Sequence, residues 1–321
     1  MRARIESAAA RHGITARIAQ VHVGLWPLLR LEDVDIVDIC TPPALHVAQT
    51  LAALAAGKEV VCEKPLAGSL AEIDRIIAAE AETAGRVMPV FQYRYGNGLQ
   101  KARRIVELGI AGKPYLATVE TAWRRTAEYY ETPWRGRLAT ELGGVLLTHA
   151  IHSHDLLTYL MGPVASVVAR TATRVNPVEV EDCAVASLVM RSGALVSLAA
   201  TLGSHKEISR LRLCFEQVTF ESSQMPYAPG DEPWQIIPAS PEAADRIADA
   251  LSGQRFVPSR FEGLMDAYHA ALTTGGALPV TLADARQSVE LVTAIYHSAA
   301  TGAVVYLPIA PDHPCYNGWR G

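Results

Sequence analysis

Between residues 35 and 91 short apolar runs alternate with helical stretches, and that spacing is the strongest constraint on the fold. Asp35-Ile36-Val37-Asp38-Ile39-Cys40 reads as a buried strand stopped by Thr41-Pro42-Pro43, and Ala44 to Ala56 follows as a helix ending at Gly57. Glu59 to Cys62 is a second strand. Ser69 then opens a helix with Glu72 three residues on, a capping-box signature, and this helix runs to Ala84 before Gly85. Val87 to Phe91 is a third apolar strand. Strand, helix, strand, helix, strand at this spacing predicts βαβ units and a parallel sheet. Upstream, Arg2 to Arg11 reads as a helix end stopped at Gly13, and Ile14 to Val23 contains a candidate strand.

The texture changes near Gly109-Ile110-Ala111-Gly112-Lys113-Pro114. Alternating runs follow at Tyr115 to Glu120, Val164 to Thr173, Ala184 to Met190, Ala194 to Leu202 and Arg210 to Phe220. Arg191-Ser192-Gly193 joins two of them as a hairpin. Helices are expected at Gly144 to Leu160, Phe261 to Thr273 and Leu282 to Ala300, and Ser222 to Pro258 reads as surface loops with one helix near Pro241 to Leu251. The expectation is an α/β chain: a parallel-sheet domain over residues 1–93, then an α+β domain over residues 94–321 with a largely antiparallel open sheet.

At 321 residues, half of them hydrophobic and 19% charged, the chain is long enough for about two domains with sizeable cores. A net charge of −4 gives no sign of a nucleic-acid or anionic-membrane partner. Five scattered cysteines, with no CxxC pair, read as reduced thiols. The start Met1-Arg2-Ala3-Arg4-Ile5-Glu6 has no apolar signal core, and Cys183 to Leu202 is interrupted at Arg191-Ser192-Gly193, too short on either side to span a bilayer. A soluble, cytoplasmic protein is expected.

Three segments carry chemistry. Cys40 to His46 is a strand end turning into a helix. Glu63-Lys64-Pro65 follows the next strand, where open α/β sheets bind ligands, and an amine there can polarise a substrate oxygen or pass a proton. Gly143-Gly144 opens a helix carrying Thr148, His149, His152, His154 and Asp155.

In this order the segments resemble the glucose–fructose oxidoreductase / inositol dehydrogenase / rhizopine-catabolism (Gfo/Idh/MocA) family. Phe91-Gln92-Tyr93-Arg94-Tyr95 looks like the opening of that family's second domain. Gly109 to Pro114 looks like its G-x-[IL]-G-x-P turn, and Ser298 to Gly302 through Val305 to Pro308 looks like its tail. The resemblance implies a Rossmann-type first domain and NAD or NADP as cofactor. It also implies hydride transfer to or from a carbinol of a sugar, inositol or related polyol. It assigns catalysis to Lys64 and His152: a histidine suits proton removal near neutral pH, and a lysine stabilises a developing alkoxide. Cofactor contacts are implied for Cys40, Thr41, Pro42, His46, Glu63, Lys64, Gln92, Trp134 and Arg135. Substrate contacts are implied for Lys64, Tyr93, Arg124, Thr148, His149 and His152. The family's Lys-Pro bond is often cis.

Two departures stand out. Thr148 occupies the place, four residues before His152 on the expected helical face, where the family motif has an acid. No G-x-G-x-x-G occurs anywhere in the 321 residues, and Gly96-Asn97-Gly98 lacks the third glycine. Matched against the family, Met1 falls inside the helix after the second strand, so the Rossmann-type domain is expected to be incomplete. A non-catalytic sugar-binding or regulatory protein on the same scaffold is the alternative.

By residue type alone Lys64 also fits a surface lysine, and His152 a core histidine. His149 and His152, three apart, could share a face and bind zinc with Asp155, but no further ligand cluster supports it, and no metal is expected. Thr41, Pro42 and His46 fit a strand end and helix cap as well as cofactor contacts, and Arg124, Trp134 and Arg135 fit a solvated loop nearly as well as a site rim. The runs Cys183 to Val189 and Ala194 to Leu202 are apolar on more than one face, so a homo-oligomer, dimer or tetramer, is expected through the second-domain sheet. Nucleic acid and membrane are not expected partners.

Overall fold

The computed structural model describes residues 25–319. The helix end expected at Arg2 to Arg11 and the candidate strand in Ile14 to Val23 lie outside the described residues. Strands β1 (Ile36–Ile39), β2 (Glu59–Cys62) and β3 (Val87–Pro89) pair in that order, all parallel. Val60, Cys62, Val87 and Met88 are wholly buried, as sheets covered on both faces require. The crossovers are the helices His46–Ala55 and Leu70–Ala81. Ser69 caps the second, accepting from Glu72 N at 3.2 Å, while Glu72 accepts from Gly68 N. That helix ends three residues earlier than the composition suggests, where Glu82 N and Thr83 N turn back to the carbonyls three residues before them.

The second sheet has eight strands: β4 (Pro114–Arg124), β5 (Val164–Ala172), β6 (Cys183–Met190), β7 (Leu195–Thr201), β8 (Gly203–Phe215), β9 (Val218–Glu221), β10 (Gln235–Pro238) and β11 (Val305–Tyr306). Their order is β10-β9-β8-β4-β7-β6-β5-β11, and only β4 and β7 run parallel. Gly193, at φ +89°, makes the turn of the β6–β7 hairpin in a conformation that side chains disfavour. One face buries Ala184, Ala186, Leu188, Val196, Leu198 and Ala200, the alternate residues of its strands. The helix Ile151–Met161, buried almost all round, lies beneath it, and Leu282–Thr301 packs against β5 and against Leu70–Ala81.

Four further elements differ from expectation. The run Arg210 to Phe220 folds back as β8 and β9, because Glu216 N and Gln217 N donate to Lys113 O and Ala111 O rather than continuing a ladder. The single helix expected over Gly144 to Leu160 breaks into Val145–Thr148 and Ile151–Met161. The helix Asn97–Glu107, whose Leu99, Ala102 and Ile105 fall on one face at helical spacing, was readable from that pattern and was not expected, while the short edge strand β10, in a stretch expected as surface loop, carries little local signal.

Arg94, in the turn Gln92–Arg94 after β3, ties these layers together. Its Nε donates to Asp155 Oδ2 at 2.8 Å and its Nη2 to Asp155 Oδ1 at 2.5 Å. Nη2 also meets Asp284 Oδ1 at 2.9 Å, in the capping box of the last long helix. Removing one partner of a buried ion pair strands the other charge. Asp155→Ala is therefore expected to lower the unfolding free energy by about 3–5 kcal/mol, measured as a shift of the urea midpoint at unchanged slope.

Candidate active site

The carboxyl ends of β1 and β2 open into a cavity of about 430 Å³. His46 holds these two ends together: Nδ1 lies 2.7 Å from Pro65 O and Nε2 lies 2.7 Å from Thr41 O. A carbonyl can only accept and each imidazole tautomer carries one N–H, so the ring donates to one of these carbonyls and lies against the other, between the segments that carry Thr41 and Lys64. The Lys64–Pro65 bond is cis.

The far wall comes from the helix break. Val145 O accepts from both His149 N (3.2 Å) and Ala150 N (2.7 Å), a wide turn that ends the first short helix. Lys64 Nζ donates to the Thr148 carbonyl at 2.6 Å. The break overturns the expectation that Thr148 and His152 share a helical face. The Thr148 hydroxyl instead donates to Gly144 O at 2.8 Å and meets His149 Nδ1 at 2.7 Å. With that hydroxyl proton spent on Gly144, His149 Nδ1 is the donor, which leaves Nε2 to accept from the Tyr129 hydroxyl at 3.3 Å. Tyr129 in turn accepts from Arg135 Nη1. Both nitrogens of His149 are thus engaged.

His152 is different. Its ring stacks on Tyr93 with centroids 4.1 Å apart and meets the edge of Phe91 at 6.3 Å. It lines the cavity, and its buried Nδ1 has no partner among the described residues. Burial first, and then the neighbouring Lys64 charge, hold His152 well below the ordinary histidine range; burial and Arg125 do the same to His149. Burial also lowers Lys64, opposed by the Glu63 carboxylate. Glu63 itself is raised by burial against the pull of Lys64. The centre therefore holds two neutral imidazoles beside a weakened ammonium.

Of the residues expected at the site, Cys40, Thr41, His46, Glu63, Lys64, Gln92, Tyr93, Trp134, Arg135, Thr148, His149 and His152 line this one cavity. Pro42 and Arg124 do not, and Pro43 and Arg125 stand in their places. Side chains alternate along a strand, so Trp123 faces in, Arg124 out, and Arg125, just past the end of β4, in again. That alternation was the available signal for Arg125. Tyr129, Glu141 and Tyr227 were missed altogether, since they reach the cavity from loops and short turns without a local pattern. Asp155 spends both carboxylate oxygens on Arg94, and among the described residues no group of three or more His, Cys, Asp or Glu side chains could hold a metal ion.

Glu181 supports the wall from behind. Its Oε2 accepts from Gly144 N and its Oε1 from Leu146 N, both at 3.0 Å, and Tyr296 donates to Oε1 at 2.8 Å. The backbone approach is so close that a Cβ on Gly144 would lie 1.8 Å from Glu181 O.

Comparison with known proteins gives one result throughout. Residues 3–91 match the family profile described as an oxidoreductase family with an NAD-binding Rossmann fold, and residues 99–221 match the GFO/IDH/MocA C-terminal domain. YrbE of Bacillus subtilis, an uncharacterized oxidoreductase, is 33% identical over 52% of this chain and 49% of its own length. Myo-inositol 2-dehydrogenase of Thermotoga maritima is 29% identical over 52% of this chain and 50% of its own. The chain spans about half the length of these curated relatives. The WlbA dehydrogenase from Chromobacterium violaceum, solved in complex with NADH and UDP-GlcNAcA, is 30% identical with a TM-score of 0.78 over 97% of this chain and 87% of that one.

Burial pushes Glu181 up to about 7 from an ordinary 4.5, against the bonds it accepts. The folded chain then keeps a proton that the unfolded chain has lost, so stability falls as pH rises from about 4.5 to about 7. Urea titrations across this window are expected to show a decline of at most about 3 kcal/mol from this group, and Glu181→Gln is expected to flatten it.

Proposed function

The chain belongs to the GFO/IDH/MocA oxidoreductase family, and we propose that it moves a hydride between NAD or NADP and a carbinol of a sugar, inositol or related polyol. One observation carries this reading: the Lys64 amine, held on the Thr148 carbonyl, shares a cavity with a neutral His152 whose ring makes no hydrogen bond among the described residues. The NADH complex of WlbA and the myo-inositol activity named for the Thermotoga relative support the cofactor and substrate class.

The residues present fit the nicotinamide end of the cofactor. Cys40, Thr41, Glu63 and Lys64 follow the carboxyl ends of β1 and β2, where such sheets bind nucleotides, and Gln92 leaves a buried Oε1 without a partner. Trp134 and Arg135 complete the wall. When bound, the nicotinamide supplies the hydride acceptor or donor. In the oxidising direction His152 takes the carbinol proton, and Lys64 stabilises the charge that develops on the oxygen. His152 is preferred over His149 because both nitrogens of His149 are already engaged. Tyr93 aligns the His152 ring by stacking.

A second reading is a non-catalytic sugar-binding or regulatory protein on the same scaffold that binds no nucleotide. Nucleotide titration separates the two. Self-association fits the outward face of the second sheet, which exposes Leu116, Val168, Val185, Val189, Leu195 and Tyr306. We place a homo-oligomer contact there.

Nicotinamide absorbance across sugars and inositols tests the redox reading. His152→Ala and Lys64→Ala are each expected to lower kcat by about 10²–10⁴-fold. The idea fails if no nucleotide binds, or if His152→Ala turns over like the parent. Because a base must be unprotonated and His152 is held low, the acid limb of kcat/KM is expected below pH 6.5. Sedimentation velocity is expected to show a dimer or tetramer that Leu195→Asp weakens; a monomeric parent would sink the contact.

A further inference from the structure

Two guanidinium groups line the cavity, and neither is fully satisfied. Arg125 Nη1 donates to Arg124 O at 2.7 Å, to Glu207 Oε1 at 3.1 Å and to the Tyr227 hydroxyl at 3.1 Å. Its Nε is buried with no partner, and among the described residues Nη2 makes no hydrogen bond. Nε and Nη2 form the edge of the guanidinium that binds planar anions through two parallel bonds. The group is held in place by aromatic rings, with its carbon 5.2 Å from the Trp123 centroid, 5.0 Å from Tyr129 and 5.8 Å from Tyr227.

Arg135 shares the Tyr129 ring, at 4.0 Å, and also stacks on Trp134 at 4.3 Å. Its carboxylate neighbour, Glu141, stands 3.7 Å away and already accepts from Gly136 N at 2.5 Å. Three cations therefore line the cavity, Lys64, Arg125 and Arg135, against two lining carboxyls, Glu63 and Glu141, with Glu207 outside the lining engaging only Nη1 of Arg125. Burial pushes both carboxyls toward their neutral form. Burial, and the like charge of Arg125, also lower Arg135, although Glu141 opposes this. Two like charges on one ring, with a two-donor edge left free, are what a negative ligand group would complete.

We propose that the sugar handled at this site carries an anionic group, a carboxylate or a phosphate, that docks on the Nε–Nη2 edge of Arg125 with Arg135 as the second cation. This rests on the reading of the cavity as a sugar site but not on turnover. The anion lies at the Arg125 end of the cavity, and the carbinol is presented to Lys64 and His152.

Calorimetric titration of the full chain with glucuronate, glucose 6-phosphate and glucose, without nucleotide, tests it directly. At least one anionic sugar is expected to bind about tenfold or more tighter than glucose. Which of the two leads distinguishes carboxylate from phosphate. Arg125→Gln is expected to cut the anion-to-neutral preference by about 10–100-fold, and Arg125→Lys, which keeps the charge without the two-donor edge, to recover part of it. Parallel urea midpoints show that both variants are folded. The proposal is overturned if glucose binds as tightly as both anions, if none of the three binds, or if Arg125→Gln leaves the preference intact. Tight anion binding without turnover would instead sink the redox reading and leave this one standing.

Discussion

The Arg94–Asp155–Asp284 cluster is the interaction on which the rest of the architecture depends. Arg94 leaves the last strand of the parallel sheet, Asp155 sits on the helix beneath the second sheet, and Asp284 caps the helix that runs between the two. A guanidinium only 5% exposed cannot be held without compensation, so these three elements come together or not at all. The same cluster fixes how the His152 helix faces the carboxyl ends of β1 and β2. A tie of this kind sets geometry more than it adds stability, because burying the charges costs much of what their attraction returns.

Within that frame the site depends on a helix that stops. Had Gly144 to Leu160 continued unbroken, the Thr148 carbonyl would have been shared between an amide one turn ahead and Lys64; the break leaves it to the lysine. The two-fold use of Val145 O opens the wall, and Glu181 holds its leading amides from behind. The consequence is chemical. His149 is saturated by Thr148 and Tyr129, the His152 ring makes no hydrogen bond among the described residues, and burial keeps both rings neutral. A pair of histidines three apart in sequence is thereby divided into one held in a hydrogen-bonded chain and one available to a substrate.

Much of this is legible in the sequence. Glu59 to Cys62 and Pro241 to Leu251 keep the bounds that the pattern suggests, because each has an unambiguous stop: Gly57 and the Glu63-Lys64-Pro65 corner for the strand, Ser240 and Pro241 opening the helix. The lysine after β2 and the histidine-bearing segment were also visible, since strand ends and paired glycines leave local marks. Arg125 was mistaken for Arg124, an error of one position that alternation along β4 would have corrected. Tyr129, Glu141 and Tyr227 had no comparable signal. A residue in a loop becomes part of a site only through contacts distant in sequence, as when Tyr227 meets Arg125 across roughly a hundred positions.

The sequence by itself determined the class of fold and its chemical vocabulary. Apolar spacing dictates a parallel sheet followed by a mostly antiparallel one, and the order of the motifs dictates the family. Those are properties of local pattern, where side-chain period and turn chemistry act over a few residues. Tertiary structure alone decided which histidine is free, where the helix breaks, and which arginine faces the cavity. Each of those outcomes turns on who donates to whom between segments far apart in the chain, and a buried polar group settles that only when its neighbours are in place. Lys64 shows both halves: its position at the end of β2 is written in the chain, but its partner, the Thr148 carbonyl 84 positions away, is brought to it only by the fold.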